Sequence, residues 1–133
     1  LLFLKELKPH MVGLGPFIPH HDTVFSGFKP GSVNLTLLMI ALTRLMLPDS
    51  MIPATTALNS LDPMGHEHGL EHGANVIMPN LSPDERRLDY SLYDNKRSTG
   101  TESAECILLI REKLGNIGYE MVMGRGDHYS LTH

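Results

Sequence analysis

Three clusters in this chain combine residue types and spacings that could do chemistry. The first is Gly13-Leu14-Gly15-Pro16-Phe17-Ile18-Pro19-His20, directly after Met11-Val12. Its glycines let the backbone approach a ligand closely, because no Cβ intervenes. Its prolines fix φ and withhold N–H donors, so the segment reads as a stiff, extended strand exit. Taken alone, such a segment is most simply a turn. The second cluster is His66, Glu67, His68, Glu71 and His72, in which His68-Gly69-Leu70-Glu71-His72 matches the H-x-x-E-H pattern of some zinc proteases. On a helix, His68 and His72 share a face, with Glu71 beside them. Gly69 weakens that helix and no clear third ligand follows, so a solvated polar face is the expected reading. The third cluster, His20-His21-Asp22, offers a group to touch substrate or carry a proton, against the plainer reading of exposed loop histidines. The hydroxyls of Thr55-Thr56 suit a carboxylate or phosphate, or simply strand packing. Cys106 is the one cysteine. It falls in an apolar helical period beside Glu102 and Glu105, an acidic setting unsuited to an activated thiolate, and reads as core.

The elements that must position these residues alternate. Residues 2–8 read as the tail of an amphipathic helix, and a strand is expected at about 11–15. A polar loop follows at 20–33, with Pro30-Gly31. Asn34 is the expected N-cap of a helix at 35–47. That helix is apolar nearly all round, with a polar stripe at Thr36, Thr43 and Arg44, so it is expected to be wedged between neighbours. Pro48-Asp49-Ser50 stops it. Next come a strand at 51–57, a short polar helix at 63–72 ended by Gly73, and a buried strand at 74–78. Residues 83–87 start a further helical or irregular stretch, 90–101 read as mostly loop, 103–117 as a helix ended by Gly118, and 119–123 as a last strand. Arg125-Gly126-Asp127 reads as a strand-exit turn. Alternating strands and helices imply a parallel sheet with right-handed crossovers. Ligands of such folds sit at the carboxyl ends of the strands. That rule brings Gly15-Pro16-Phe17-Ile18-Pro19, Thr55-Thr56 and Met78-Pro79-Asn80 around one mouth, and it puts the histidine-bearing helix outside, away from it.

Composition narrows the function. The chain has 133 residues, 41% hydrophobic, which is enough for one domain-sized core. Its net charge of -4 and its lack of tryptophan leave no basic or stacking footprint for nucleic acid. One cysteine excludes an internal disulfide or an all-cysteine metal site within the chain. The longest apolar run, 35–47, is too short for a bilayer, which needs roughly 20 residues. The chain opens on Leu1 in mid-helix without a basic leader, and is expected to be a fragment of a longer cytoplasmic protein.

Four segments together carry a family resemblance. Gly13-Leu-Gly-Pro-Phe-Ile-Pro-His20, Ala41-Leu-Thr-Arg-Leu-Met-Leu-Pro-Asp49, Ile52-Pro-Ala-Thr-Thr-Ala57 and Gly73-Ala-Asn-Val-Ile-Met-Pro-Asn80 occur in this order. In order and spacing the chain resembles the radical S-adenosylmethionine maturases of FeFe-hydrogenase, relatives of biotin synthase and methylornithine synthase. The resemblance covers residues 9–80 well and 81–133 with less diagnostic motifs. It implies an α/β fold, the C-terminal portion of a TIM-type (β/α) barrel, within a single domain. Residues 1–80 would supply strands six to eight with their helices, and 81–133 the closing helix–strand segment. It implies S-adenosylmethionine and a 4Fe–4S cluster as cofactors, and a small-molecule or organometallic substrate. The implied partners are the GTPase scaffold and the tyrosine-cleaving maturase, with no membrane and no nucleic acid. Residue by residue, Gly15, Pro16 and Ile18 match the cofactor-side wall, and Met11, Thr55, Thr56 and Met78 the substrate cavity. No catalytic or metal-ligand role falls on this chain. The C-x3-C-x2-C loop that would hold the cluster is missing from it, so the chain alone is expected to be inactive. A biotin synthase or methylornithine synthase relative, or a binding module without a cluster, are the alternatives.

Overall fold

The computed structural model describes residues 1–78, 103–122 and 124–131. Its helices are α1 (Leu2–Leu7), α2 (Val33–Met46), α3 (Thr56–Leu61), α4 (Gly65–Glu71) and α5 (Ser103–Asn116), with a 3-10 turn at Tyr129–Leu131. Two short strands, β1 (Pro53–Ala54) and β2 (Val76–Ile77), pair in parallel with Pro53 opposite Val76. The expected first strand is only an extended segment. Met11 bridges Met51 in parallel, Val12 N–H donates to Met51 O at 2.9 Å and Met51 N–H to His10 O at 2.8 Å. Three parallel segments therefore lie side by side in chain order. The Asn75 side chain extends this ladder by accepting from Ile52 N–H at 2.8 Å, while its own N–H donates to Ile52 O at 2.9 Å.

Alternation along a strand divides the sheet into two faces. Ile52, Ala54 and Ile77 pack with Leu37 and Ile40 of α2, Leu58 of α3, Leu70 of α4 and Leu114 of α5. Ile40, Ile52 and Leu58 are fully buried, each worth about 1.5–3 kcal/mol relative to exposure. The helices thus cover this face of the sheet. The opposite face takes Met11, Met51, Val76 and Met78, of which Met11 is 44% and Met78 55% exposed.

Helix starts follow side-chain acceptors more closely than apolar spacing. α2 is capped by Ser32 and not by Asn34: the Ser32 hydroxyl accepts from Leu35 N–H at 3.2 Å in an extended conformation. The expected strand at 51–57 ends early for the same reason. Thr55 is extended, and its Oγ1 accepts from Leu58 N–H at 3.3 Å, so Thr56 already belongs to α3. A threonine satisfies both a strand and a cap, and the orphan N–H groups of α3 decide the matter. The expectation that α2 is wedged on every side also fails among the described residues, since Leu35, Leu38, Leu42 and Leu45 are 58%, 53%, 38% and 79% exposed. α4 is no solvated polar helix: Gly65, Glu67, Gly69 and Leu70 are buried. A Cβ at Gly65 would stand 2.6 Å from the Leu58 carbonyl, and one at Gly69 3.0 Å from Ala54 Cβ. The glycine that weakens the helix locally is what lets α4 lie down on α3 and β1.

Gly118, at φ +77°, ends α5 as expected. Residues 119–122, expected as a strand, are neither helix nor strand. The Tyr119 hydroxyl donates to Leu70 O at 3.2 Å, holding this segment against the end of α4 in place of a sheet edge. The stretches expected at 83–87 and 90–101 and the Cys106 side chain lie outside the described residues, as does Pro79-Asn80. Among the described residues no helix is long and apolar enough to cross a membrane.

Arg44 ties the crossovers together. Its Nε donates to Gly73 O at 2.8 Å, and its Nη1 to Pro48 O at 2.7 Å and Ser50 O at 2.8 Å. These carbonyls belong to the turns that enter β2 and the Met51 segment. Gly73, at φ +110°, would place a Cβ 2.8 Å from Arg44 Cβ. At the same end of the sheet, His128 Nε2 donates to Asp49 O at 2.9 Å while its ring stacks on His10 at 4.6 Å. Replacing Arg44 with Met is expected to cost about 2–4 kcal/mol, because buried carbonyls lose a charged donor. Urea unfolding measures this, and Arg44→Lys should recover only part of the loss, because an ammonium lacks the guanidinium fork.

Candidate functional site

The carboxyl ends of the three parallel segments meet at one edge of the sheet. From the observed register, Met78 stands one residue beyond the Ala54–Ile77 pair, level with Thr55. Gly15 reaches the same level: a Cβ there would lie 2.9 Å from Thr55 Oγ1 and 3.7 Å from Ala57 Cβ. Gly15, Thr55 and Met78 are therefore neighbours, as the strand-end rule requires. Pro16 is buried, Ile18 half-buried and Phe17 48% exposed. Phe17 O accepts from Gly31 N–H at 2.8 Å, which folds the following loop back over the segment. Phe17, Phe25 and Phe28 hold that loop through edge-to-face ring contacts at 6.0 and 5.7 Å.

The remaining expected site residues separate from this group. Met11 pairs with Met51, four residues before Thr55, so it lies about 13 Å down the same sheet face. Thr56 is the first residue of α3, and its carbonyl accepts from Ser60 Oγ at 2.9 Å. The hydroxyl of Thr55 is engaged as a cap through one lone pair, which leaves its O–H donor and its second lone pair. The edge is an open shelf of backbone and thioether. A cavity of about 470 Å³ lies instead at the amino-terminal end of the sheet, between Lys5, Lys8, His10, Pro48 and His128.

α4 lies on the helical side of the sheet, and its histidines have separate fates. His68 Nδ1 meets Asp62 Oδ2 at 2.6 Å, and Asp62 Oδ1 accepts from Met64 N–H at 3.0 Å. The hydrogen bond to Asp62 raises the His68 pKa above its ordinary value, against the opposing effect of burial. Burial pushes Asp62 upward, but the bonds from His68 and Met64 outweigh it and hold Asp62 below the usual carboxylate value. His72 Nδ1 contacts His68 O at 2.7 Å, so the two histidines of the H-x-x-E-H pattern face different partners. His66 is drawn inward, where burial lowers its pKa. Glu67 is buried, with Oε1 3.0 Å from Lys113 Nζ of α5. Burial pushes Glu67 up, while its own backbone N–H and Lys113 together hold it down. The protease-like pattern is thus a set of packing contacts. Asp62 and Lys113, which sequence reasoning passed over, are what orient it. Asp62-Pro63 just ahead of the helix was the available signal.

No protein-family model matches the chain. It is similar to the [FeFe] hydrogenase maturase subunit HydE of Thermotoga maritima, 49% identical over 118 residues, 89% of this chain and 34% of HydE. It is similar also to two 3-methylornithine synthases. That of Methanosarcina acetivorans is 30% identical over 84% of this chain and 31% of its own length. That of Methanosarcina barkeri is 35% identical over 65% of this chain and 24% of its own length. The chain spans about a third or less of the length of these relatives.

Two outcomes follow from the α4 contacts. The His68 contribution to stability is complete below its unfolded pKa of about 6.5 and is lost as pH rises through the raised folded value. The Asp62 contribution is complete above about 3.9 and is lost as pH falls through the lowered folded value. The deficit of His68→Gln in urea unfolding should therefore be largest between about pH 4 and 6.5 and shrink as pH rises through the raised folded value. Lys113→Met leaves a buried carboxylate without its counter-charge. It should cost about 2–3 kcal/mol, at the low side because Lys113 is half exposed. Adding Glu67→Gln to that variant should recover most of the loss in the same measurement.

Proposed function

The chain is related to HydE and to the 3-methylornithine synthases along most of its length, and on that premise we propose that it forms the C-terminal part of a radical S-adenosylmethionine enzyme. In this reading the three parallel segments are barrel strands six to eight, with residues 81–133 as the closing segment. The enzyme acts in the cytoplasm, in assembly of the active-site cluster of FeFe-hydrogenase, beside the GTPase scaffold and the tyrosine-cleaving maturase. The observation that carries this reading is the shared level of Gly15, Thr55 and Met78 at the carboxyl edge of a parallel sheet, together with 49% identity to HydE.

The residues fit such a cofactor in part. Nothing stands within 4 Å of a Cβ placed on Gly13, so a flat ring can rest directly on this backbone. Pro16 and Ile18 supply an apolar wall that holds its shape, since Pro16 is buried and Phe17 O is fixed by Gly31. S-adenosylmethionine, when bound and reduced, supplies a one-electron route to breaking an inert bond in the substrate. The 4Fe–4S cluster does not fit this chain: Cys106 is its only cysteine, and its thiolates must come from another segment. The task left to these residues is to hold the cofactor against Gly15, Pro16 and Ile18. Met11, Thr55 and Met78 then face the substrate from the open side of the sheet, while Thr56, at the start of α3, supports Thr55 from behind. The thioethers give that side a soft, adaptable lining suited to an organometallic guest. The resemblance to 3-methylornithine synthase supports a second reading, in which the same shelf faces an amino-acid substrate.

A chimera tests this. The segment of Thermotoga maritima HydE that aligns with this chain is replaced by it, and the cluster is reconstituted. With dithionite as the electron donor, the chimera should cleave S-adenosylmethionine to methionine and 5′-deoxyadenosine, whose added hydrogen comes from the substrate or the medium. Gly15→Val in the same chimera should lower that rate at least about tenfold, because the new side chain meets Thr55 Oγ1. A folded, cluster-loaded chimera that makes no 5′-deoxyadenosine overturns the proposal. Formation of 3-methylornithine would select the second reading.

A further inference from the structure

We propose that His20, His21 and Asp22 form a binding site for one divalent first-row transition-metal ion, of the zinc and cobalt type, on the loop that leaves the first parallel segment. One ligand atom from each of the three lies within 4.8 Å of the others. His21 Nε2 is 3.2 Å and His20 Nδ1 4.0 Å from the same carboxylate oxygen, Asp22 Oδ2. Metal–ligand bonds of about 2.0–2.2 Å at tetrahedral angles set two ligands of one ion about 3.3–3.6 Å apart. The His21–Asp22 separation already meets that distance, and side-chain rotation brings His20 Nδ1 into it.

The turn presents lone pairs and holds them there. Asp22 N–H donates to His20 Nδ1 at 3.1 Å, which fixes the tautomer with the proton on Nε2 and turns the Nδ1 lone pair toward Asp22. Thr23 bonds His20 O twice, through its N–H at 3.1 Å and its hydroxyl at 2.9 Å. The His20 and His21 rings stack at 4.4 Å, with only 22° between their planes, so both nitrogens stay on one side. His20 is anchored, with 17% of its side chain exposed, while Asp22 is 75% exposed and reaches solvent. An ion entering from water takes the place of the exposed Asp22 N–H at His20 Nδ1, and that N–H passes to solvent. Two imidazoles and a carboxylate favour zinc, cobalt or nickel over magnesium or calcium, and leave positions open for water or a second ligand. The α4 histidines form no such set among the described residues, because His68 turns to Asp62 and His72 to a backbone carbonyl. The site stands independently of the radical-enzyme reading.

The experiment is titration of the tag-free chain with cobalt chloride and then zinc chloride, followed by calorimetry and visible absorption. One ion per chain is expected, with zinc displacing cobalt and magnesium giving no heat. His21→Ala and Asp22→Asn, with unchanged circular dichroism, should each weaken binding at least about tenfold. His68→Ala/His72→Ala should bind as the parent does. Sub-stoichiometric uptake, undiminished binding in His21→Ala and Asp22→Asn, or loss of binding in the α4 double variant would each mean an adventitious ion only, and overturn the site. The chimera assay reads 5′-deoxyadenosine and does not depend on this result.

Discussion

Three backbone carbonyls converge on one guanidinium, and the arrangement of the parallel segments depends on it. Arg44 projects from a helix that is otherwise almost wholly apolar, and its Nε and Nη1 donate to Gly73, Pro48 and Ser50. A planar fork with fixed donor directions imposes angles as well as distances. The turn after α2 and the turn before β2 are therefore set relative to each other before any strand pairing adds to them. That matters because the pairing is slight, with two residues in each strand and a single bridge beside them. Burial lowers the Arg44 pKa and nearby Asp49 opposes the shift, so the cation is kept where the turns need it.

From that anchor the helical layer follows. α4 approaches α3 and β1 at distances only glycine permits, and the dense contact draws Glu67 and His66 below the surface. Lys113 of α5 then answers the Glu67 charge, and Tyr119 closes over the end of α4. The result is one crowded face of the sheet and one open one. The open face carries Met11, Met51, Val76 and Met78, with the glycine segment at its rim.

Much of this arrangement was legible in the sequence, and the failures have common causes. The helices at 2–8, 35–47, 63–72 and 103–117 reappear within a few residues, since apolar spacing and stop signals are local. The approach of Gly15 to Thr55 was legible too, because parallel strands in chain order must end together. Strand lengths were not. Thr55 suits an extended chain and a helix cap equally, and only the neighbouring turn decides between them. Gly69 read as a flaw in a helix because its reason lies across space, in Ala54. His68 and His72 read as a pair because they share a helical face, while their true partners are Asp62 and a backbone carbonyl. In each case a residue with two local uses was assigned by a contact distant in sequence.

The stacked rings of His10 and His128 have a kinetic meaning. They join positions far apart in the described chain, and His128 also bonds Asp49, which lies between them in sequence. Closing a loop of that length costs about 4 kcal/mol of chain entropy before any contact repays it. Such a clasp forms after the nearby helices have shortened the effective loop, so it belongs late in assembly. The amino-terminal edge of the sheet should therefore fray as a single unit, His10, Asp49 and His128 together, while the Arg44 junction still holds.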